Sequence, residues 1–173
     1  MHNFKEYFLL NEAKVSTFCY MLYADEPYST KLKELQKELD LDGELTDKNK
    51  FHITIRYVKT NKSPDPLIDY LNAIQLPKLS AVTKNFNIFG EDKCLVMEVD
   101  SPEIHKWFKQ INKFIIDCGF PDSDYKIYKP HITLTEGTKK EIPKFLNKHK
   151  MNLVFKKHVV TGSDYKIIFQ KKI

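Results

Sequence analysis

The sequence predicts an α+β fold, with two antiparallel-sheet lobes that carry helices on their outer faces and meet at a central cleft. Three observations predict it. A five-residue phrase occurs twice, as His52-Ile53-Thr54-Ile55-Arg56 and His131-Ile132-Thr133-Leu134-Thr135, each inside an extended apolar run (Phe51–Val58 and Tyr128–Thr135). The order strand, helix, loop, His-x-Thr strand, helix, strand reads twice along the chain. The two histidines are 131 − 52 = 79 residues apart, and position 94, where the strand after a central turn begins, lies 79 beyond Val15, where the first strand begins. Self-similarity at a fixed offset is the sequence signature of a duplicated architecture.

Taken in order, Phe4, Tyr7, Phe8 and Leu10 fall at helical spacing and predict a short helical leader over residues 1–14. A single domain follows over 15–173, with lobe one at about 15–90 and lobe two at about 93–173. Val15 to Ala24 is apolar and aromatic, ends at Asp25-Glu26-Pro27, and reads as a strand. Ser29 is placed to cap a helix from Thr30 to Leu39, with Leu32, Leu35 and Leu39 on one face. The polar stretch Asp40 to Lys50 reads as a loop that delivers the first His strand. Ser63-Pro64-Asp65-Pro66 starts a helix through Ile74, and Pro77 stops it. Leu79 to Phe89 is a strand, and Gly90-Glu91-Asp92 turns it into Cys94 to Val99. Ser101-Pro102-Glu103 opens a helix to about Cys118 with a buried stripe of Ile104, Trp107, Phe108, Ile111, Phe114 and Ile115; Gly119 ends it. Beyond the loop from Pro121 to Lys126 come the second His strand, a short helix over Lys139–Lys148, a strand over Leu153–Thr161, a turn at Gly162-Ser163-Asp164, and a last strand over Tyr165–Ile173.

Length and composition narrow the function. A chain of 173 residues with 42% hydrophobic content buries a substantial core. No apolar run approaches the roughly 20 residues of a membrane helix, and the N-terminus has no basic-then-apolar export signal, so a cytoplasmic protein is expected. Cys19, Cys94 and Cys118 are odd in number and widely spaced, which reads as thiols in a reducing compartment. Neither a metal nor a cofactor is expected. From Lys126 onward there are 12 Lys against 3 Asp or Glu, +9, which leaves 5 − 9 = −4 on the first 125 residues. A basic final third suits a phosphorylated or polyanionic ligand.

The motif itself carries the chemistry. Side chains alternate along a strand, so His and Thr two apart share a face while the intervening Ile points to the other. Two facing strands therefore present two imidazoles and two hydroxyls to one cleft. Histidine titrates near neutrality, so one imidazole can accept a proton from an attacking oxygen while its protonated partner donates to a leaving oxygen. Thr54 and Thr133 are the candidate donors to the charge that develops on a phosphate. Which His is the base stays open. By alternation Arg56 and its counterpart Thr135 share the face of His52 and His131 and are candidate substrate contacts. Tyr20 and Tyr23 are candidates to stack on a base; they lie on opposite faces, so core packing claims at least one.

Phe51-His52-Ile53-Thr54-Ile55-Arg56-Tyr57 and Lys129-Pro130-His131-Ile132-Thr133-Leu134 resemble the paired motifs of the two-histidine (2H) phosphoesterase superfamily, which includes 2′-5′ RNA ligase-like proteins and cyclic nucleotide phosphodiesterases. The resemblance runs from Val15 to Ile173. It implies metal-independent phosphodiester chemistry on a nucleotide or oligonucleotide. No membrane or stable protein partner is implied, and a monomer is expected. Residues Phe4–Ala13 resemble leader segments of large tailed-phage proteins, which can be cut after a Leu-x-Glu such as Leu10-Asn11-Glu12. Together these point to phage phosphodiesterases of the anti-CBASS type, which degrade cyclic oligonucleotide immune signals of bacteria. RNA 2′,3′-cyclic phosphate processing and a non-catalytic nucleotide sponge remain alternatives.

Overall fold

The computed structural model describes residues 16–123, 127–141, 149–163 and 165–173. Eight strands are found among these: β1 Ser16–Ala24, β2 Glu44–Leu45, β3 His52–Thr60, β4 Leu79–Phe89, β5 Cys94–Asp100, β6 His131–Glu136, β7 Asn152–Thr161 and β8 Ile167–Lys172. The three described helices are α1 Tyr28–Glu38, α2 Asp65–Ala73 and α3 Pro102–Asp117. The leader over 1–14 and most of the helix expected at Lys139–Lys148 lie outside the described residues.

Every strand pairing is antiparallel, and the strands form one sheet in the order β2-β6-β5-β4-β7-β1-β3, with β8 on β7. The sheet has two four-stranded halves, β3-β1-β7-β8 and β4-β5-β6-β2. They join where Leu79–Val82 of β4 pairs with Asn152–Phe155 of β7. Farther along the same edge of β7, Lys157–Thr161 pairs with β8.

This topology corrects the division at 90/93. The halves of the sequence are not the halves of the sheet, because strands of each cross over: β2 runs beside β6 and β4 beside β5, while β7 runs beside β1. Each half of the sheet is therefore built from both halves of the chain.

The offset is corrected too. Leu22 opposes Ile53 and Met97 opposes Ile132, so β1 and β5 correspond at a spacing of 97 − 22 = 75, while the His strands stand 79 apart. The β5–β6 connection is four residues longer than its counterpart, and the match of Val15 with position 94 came only from where the strands begin.

One connected core lies between the sheet and its helices. It holds Phe18, Tyr20, Leu22 and Ala24 of β1, Ile53 and Ile55 of β3, Ile132 and Leu134 of β6, Leu32 and Leu35 of α1, Leu67 and Leu71 of α2, and Ile104, Trp107, Ile111 and Ile115 of α3. Alternation explains the choice. Cys19, Met21, Val96 and Val159 are also buried, but from the opposite face of the sheet and outside that core.

Helix α3 starts where its cap dictates: the Ser101 side chain accepts from the Ile104 N–H at 3.0 Å, and Pro102 fills the first turn. Its expected stripe narrows, because Phe108 and Phe114 are only half-buried, stacked on Tyr128 and Tyr70. Helix α1 starts earlier than expected, at Tyr28. Ser29 lies inside it and makes no capping bond; Pro27 holds the cap position.

The loop between α1 and β3 is more ordered than its polarity suggested, with β2 and a 3-10 turn at Lys48–Lys50. It is stapled to the end of β6. Asp42 accepts from the Thr138 hydroxyl at 2.5 Å and the Lys139 N–H at 3.1 Å, and Lys140 pairs with Asp40 at 2.7 Å. Gly43 passes so close that a Cβ there would sit 2.2 Å from the Glu136 carbonyl oxygen, at φ +81°. Gln36 of α1 donates to the carbonyls of Thr46 (2.9 Å) and Leu134 (2.5 Å).

Candidate active site

The two His-x-Thr strands carry the same local build. His52 and Thr54 are half-buried on one face of β3 while Ile53 is fully buried; on β6, His131 and Thr133 are half-buried while Ile132 is fully buried. Each imidazole is anchored two residues back. His52 Nδ1 bonds the Lys50 carbonyl and His131 Nδ1 the Lys129 carbonyl, both at 2.7 Å. A carbonyl only accepts, so each Nδ1 carries the proton and each Nε2 is left to exchange protons. The same tautomer is thus set at both sites by equivalent backbone.

β3 and β6 approach each other although they share no ladder. Tyr128, just before β6, donates its hydroxyl to the Thr54 carbonyl at 2.9 Å and ties one motif to the other. Burial lowers the pKa of both imidazoles. The Lys50 carbonyl partly restores that of His52, and the nearby His131 lowers it again. For His131 the Lys129 carbonyl and then Glu98 push back up. Between the motifs the sheet face is apolar, with Met21 opposite Thr54, Val159 opposite Met21 and Val96 opposite Thr133. Cys19 sits 4.0 Å from the Thr54 hydroxyl, its thiol pushed up to about 11 by burial, with the Thr54 hydrogen bond acting the other way.

Both strands then break alternation at the same point. The register slips between Tyr20 and Met21 against β3, and between Leu95 and Val96 against β6. Ile55 and Leu134 are the extra residues, one per motif. A bulge of one residue sends every later side chain to the other face. Arg56 and Thr135 are consequently turned away from the His face, which corrects both expected substrate contacts. Arg56 is 5% exposed and donates to the carbonyls of Tyr57 and Pro121, each at 2.6 Å. Thr135 is fully buried and donates to the Asp42 carbonyl at 2.6 Å.

The tyrosines divide. Tyr20 is fully buried on the core face: Trp107 Nε1 donates to its hydroxyl at 2.9 Å, and the hydroxyl meets His158 Nδ1 at 2.6 Å. His158 Nε2 faces the Pro77 carbonyl at 3.0 Å, so Nε2 carries the proton and Nδ1 accepts from Tyr20. No face of Tyr20 is left for a nucleobase, which corrects that expectation.

Tyr23 stands opposite His52 across β1–β3, half-buried, its ring stacked on the imidazole at 5.5 Å and with Lys157 Nζ 5.3 Å from its centroid. Beside it opens a cavity of about 150 Å³ lined by Tyr23, Asp25, Glu26, Ser29, Asn49 and Lys157. At His131 the aromatic neighbour is Phe89, edge-on at 4.8 Å. Sequence reasoning missed Tyr128, Phe89 and Glu98, whose placement depends on partners far along the chain.

Among the described residues no group of three or more His, Cys, Asp or Glu could hold a metal ion, and no helix is long and apolar enough to cross a membrane.

Known structures share this fold. TT0787 of Thermus thermophilus superimposes with a TM-score of 0.70 at 16% identity, over 90% of this chain and 97% of that one. LigT of E. coli, complexed with 3′-AMP, gives 0.68 at 10% identity over 92% and 99%; complexed with ATP it gives 0.66 at 8% over the same shares. The chain thus shares the fold of these proteins. No curated protein sequence matches. The family described as anti-CBASS protein Acb1 matches residues 20–165, both motifs included, and the chain belongs to that family.

Proposed function

We propose that the protein is a phosphodiesterase that cleaves nucleotide phosphodiester bonds with its paired imidazoles, and that its substrates are cyclic oligonucleotide immune signals of bacteria. The observation that carries the reading is the duplicated anchor: two half-buried histidines, each with Nδ1 fixed on a carbonyl and Nε2 left to titrate, each beside a threonine on the same strand face. Binding alone would not require two matched proton-exchanging groups. The family's anti-CBASS description supports the substrate class.

One neutral Nε2 takes the proton of the attacking oxygen, a ribose 2′-hydroxyl or water, as its bond to phosphorus forms. The protonated Nε2 opposite gives its proton to the leaving oxygen as the P–O bond breaks. Thr54 and Thr133 hydroxyls hold the non-bridging oxygens, whose charge grows in the transition state. Tyr23, stacked beside His52, is placed to meet a base. The chemistry calls for protons alone, so the reaction should proceed in EDTA.

The test is to incubate the protein, with EDTA present, with cyclic oligonucleotides, 2′-5′ oligoadenylates and 2′,3′-cyclic mononucleotides. Turnover of the cyclic oligonucleotides is the expected result. Turnover confined to 2′,3′-cyclic mononucleotides would replace it with RNA end processing, and tight binding without turnover would make the protein a sponge.

A further inference from the structure

The paired site is symmetric in its motifs and asymmetric in what stands opposite them. Across β5–β6, His131 is directly opposed by Glu98; across β1–β3, His52 is directly opposed by Tyr23. Directly opposed residues of an antiparallel pair share a face, with Cβ atoms about 4.5–5.5 Å apart. One imidazole therefore has a carboxylate for its neighbour and the other an aromatic ring. Given the phosphodiesterase reading above, we propose that Glu98 is a positioning residue that holds His131 as the imidazolium acid of the pair, and that His52 is the base.

Glu98 is itself fixed. Asn87 of β4 donates to its Oε1 at 3.2 Å, and the Asn87 Oδ1 is occupied by the Ile88 N–H at 2.9 Å, so the amide presents its donor to the carboxylate. Charged groups of both signs surround the two rings: Lys84, Asp100 and His105 line a cavity with Glu98 and Lys129, and Asp25 and Glu26 line the one beside Tyr23 with Lys157. Of these carboxylates only Glu98 stands directly opposite an imidazole in the strand register. His131 faces uncharged Phe89 from β4 and His52 from β3, with Lys129 preceding it on its own strand approach. His52 faces Tyr23 from β1, with Lys157 of β7 on that ring, and the imidazole of His131.

The electrostatic signs agree: Glu98 favours the charged form of His131, and His131 disfavours the charged form of His52. An acid needs the higher pKa of the two and a base the lower, if both are to be in the working form at one pH. The attacking oxygen is then on the Tyr23 side, where His52 Nε2 takes its proton. The leaving oxygen is on the Glu98 side, where His131 Nε2 supplies one.

The experiment uses the full chain as wild type, Glu98→Gln and Glu98→Asp. Gln keeps the oxygen that Asn87 bonds and removes only the charge; Asp returns the charge. NMR of the imidazole Cε1–H signals against pH reads each histidine directly, and kcat/KM for cyclic di-adenylate against pH reads the reaction. In Glu98→Gln the His131 titration is expected to fall by about half to one pH unit. The descending limb of the rate profile should move to lower pH by a similar amount, the ascending limb less, and Glu98→Asp should restore part of both. An unmoved His131 titration overturns the coupling. A shifted ascending limb with a fixed descending one reverses the two roles and overturns the assignment. If wild type turns over no diester at all, the phosphodiesterase reading fails and takes the acid role with it, whereas the Glu98–His131 coupling stands or falls on the NMR titration.

Discussion

Replacing Tyr20 by Phe separates two roles that the sequence left open for this ring. The hydroxyl sits between Trp107 Nε1 at 2.9 Å and His158 Nδ1 at 2.6 Å in a fully buried position. Its removal orphans one donor and one acceptor, with no solvent at hand to satisfy either. A buried polar group left unpaired costs about 1–3 kcal/mol, so the two together should cost about 2–5 kcal/mol. That is a large part of the roughly 5–15 kcal/mol by which a domain is stable. The bonds link β1, α3 and β7, so the loss should act on global unfolding. Urea denaturation is the assay: with slopes of about 1–3 kcal/mol/M, the midpoint should fall by at least about 0.7 M at unchanged slope. Turnover per folded molecule should stay near wild type. A change below about 0.5 kcal/mol would refute the network, and unchanged stability with a raised KM would return Tyr20 to substrate binding.

Arg56→Met should destabilise by about 2–4 kcal/mol, because the Tyr57 and Pro121 carbonyls lose their charged donor; KM should hold, and a tenfold rise would restore the arginine to the phosphate. Gly43→Ala should lower stability by more than about 1 kcal/mol, since its φ of +81° strains any Cβ and the Glu136 carbonyl blocks one; thermal melting reads this, and an unchanged Tm would contradict the close approach. His52, His131 and His158 all have pKa values lowered chiefly by burial. The folded state therefore resists protonation that the unfolded chain accepts, so stability should be level above the ordinary histidine value of about 6.5 and fall as pH drops below it. Denaturation midpoints between pH 5 and 8 measure this, and a midpoint that rises on acidification would contradict it.

Local signals carried much of the architecture. Helix α3 was legible because Ser101, Pro102, Gly119 and an apolar stripe agree, and β4 runs from Leu79 to Phe89 where its turn residues place it. What was not legible depends on pairing across distance. Nothing local marks Ile55 or Leu134 as the extra residue of a bulge, and alternation carried one residue too far put Arg56 and Thr135 on the wrong face. The exchange of β4 and β7 is likewise invisible, since each strand reads equally well beside either neighbour. Alternation put Tyr20 and Tyr23 on opposite faces but not which face the helices cover; Trp107 and His158 decide that. Glu98 drew no notice because its significance lies in the register that sets it opposite His131.

The central claim is that two imidazoles exchange the protons of phosphodiester cleavage. It is tested most directly by the turnover of cyclic oligonucleotides in EDTA by His52→Ala and His131→Ala, each shown by its circular dichroism and melting to be folded. General acid–base groups contribute about 10²–10⁴ in rate, so each variant should lose at least about 100-fold in kcat. A folded variant of either histidine that turns over at near the wild-type rate would contradict the account.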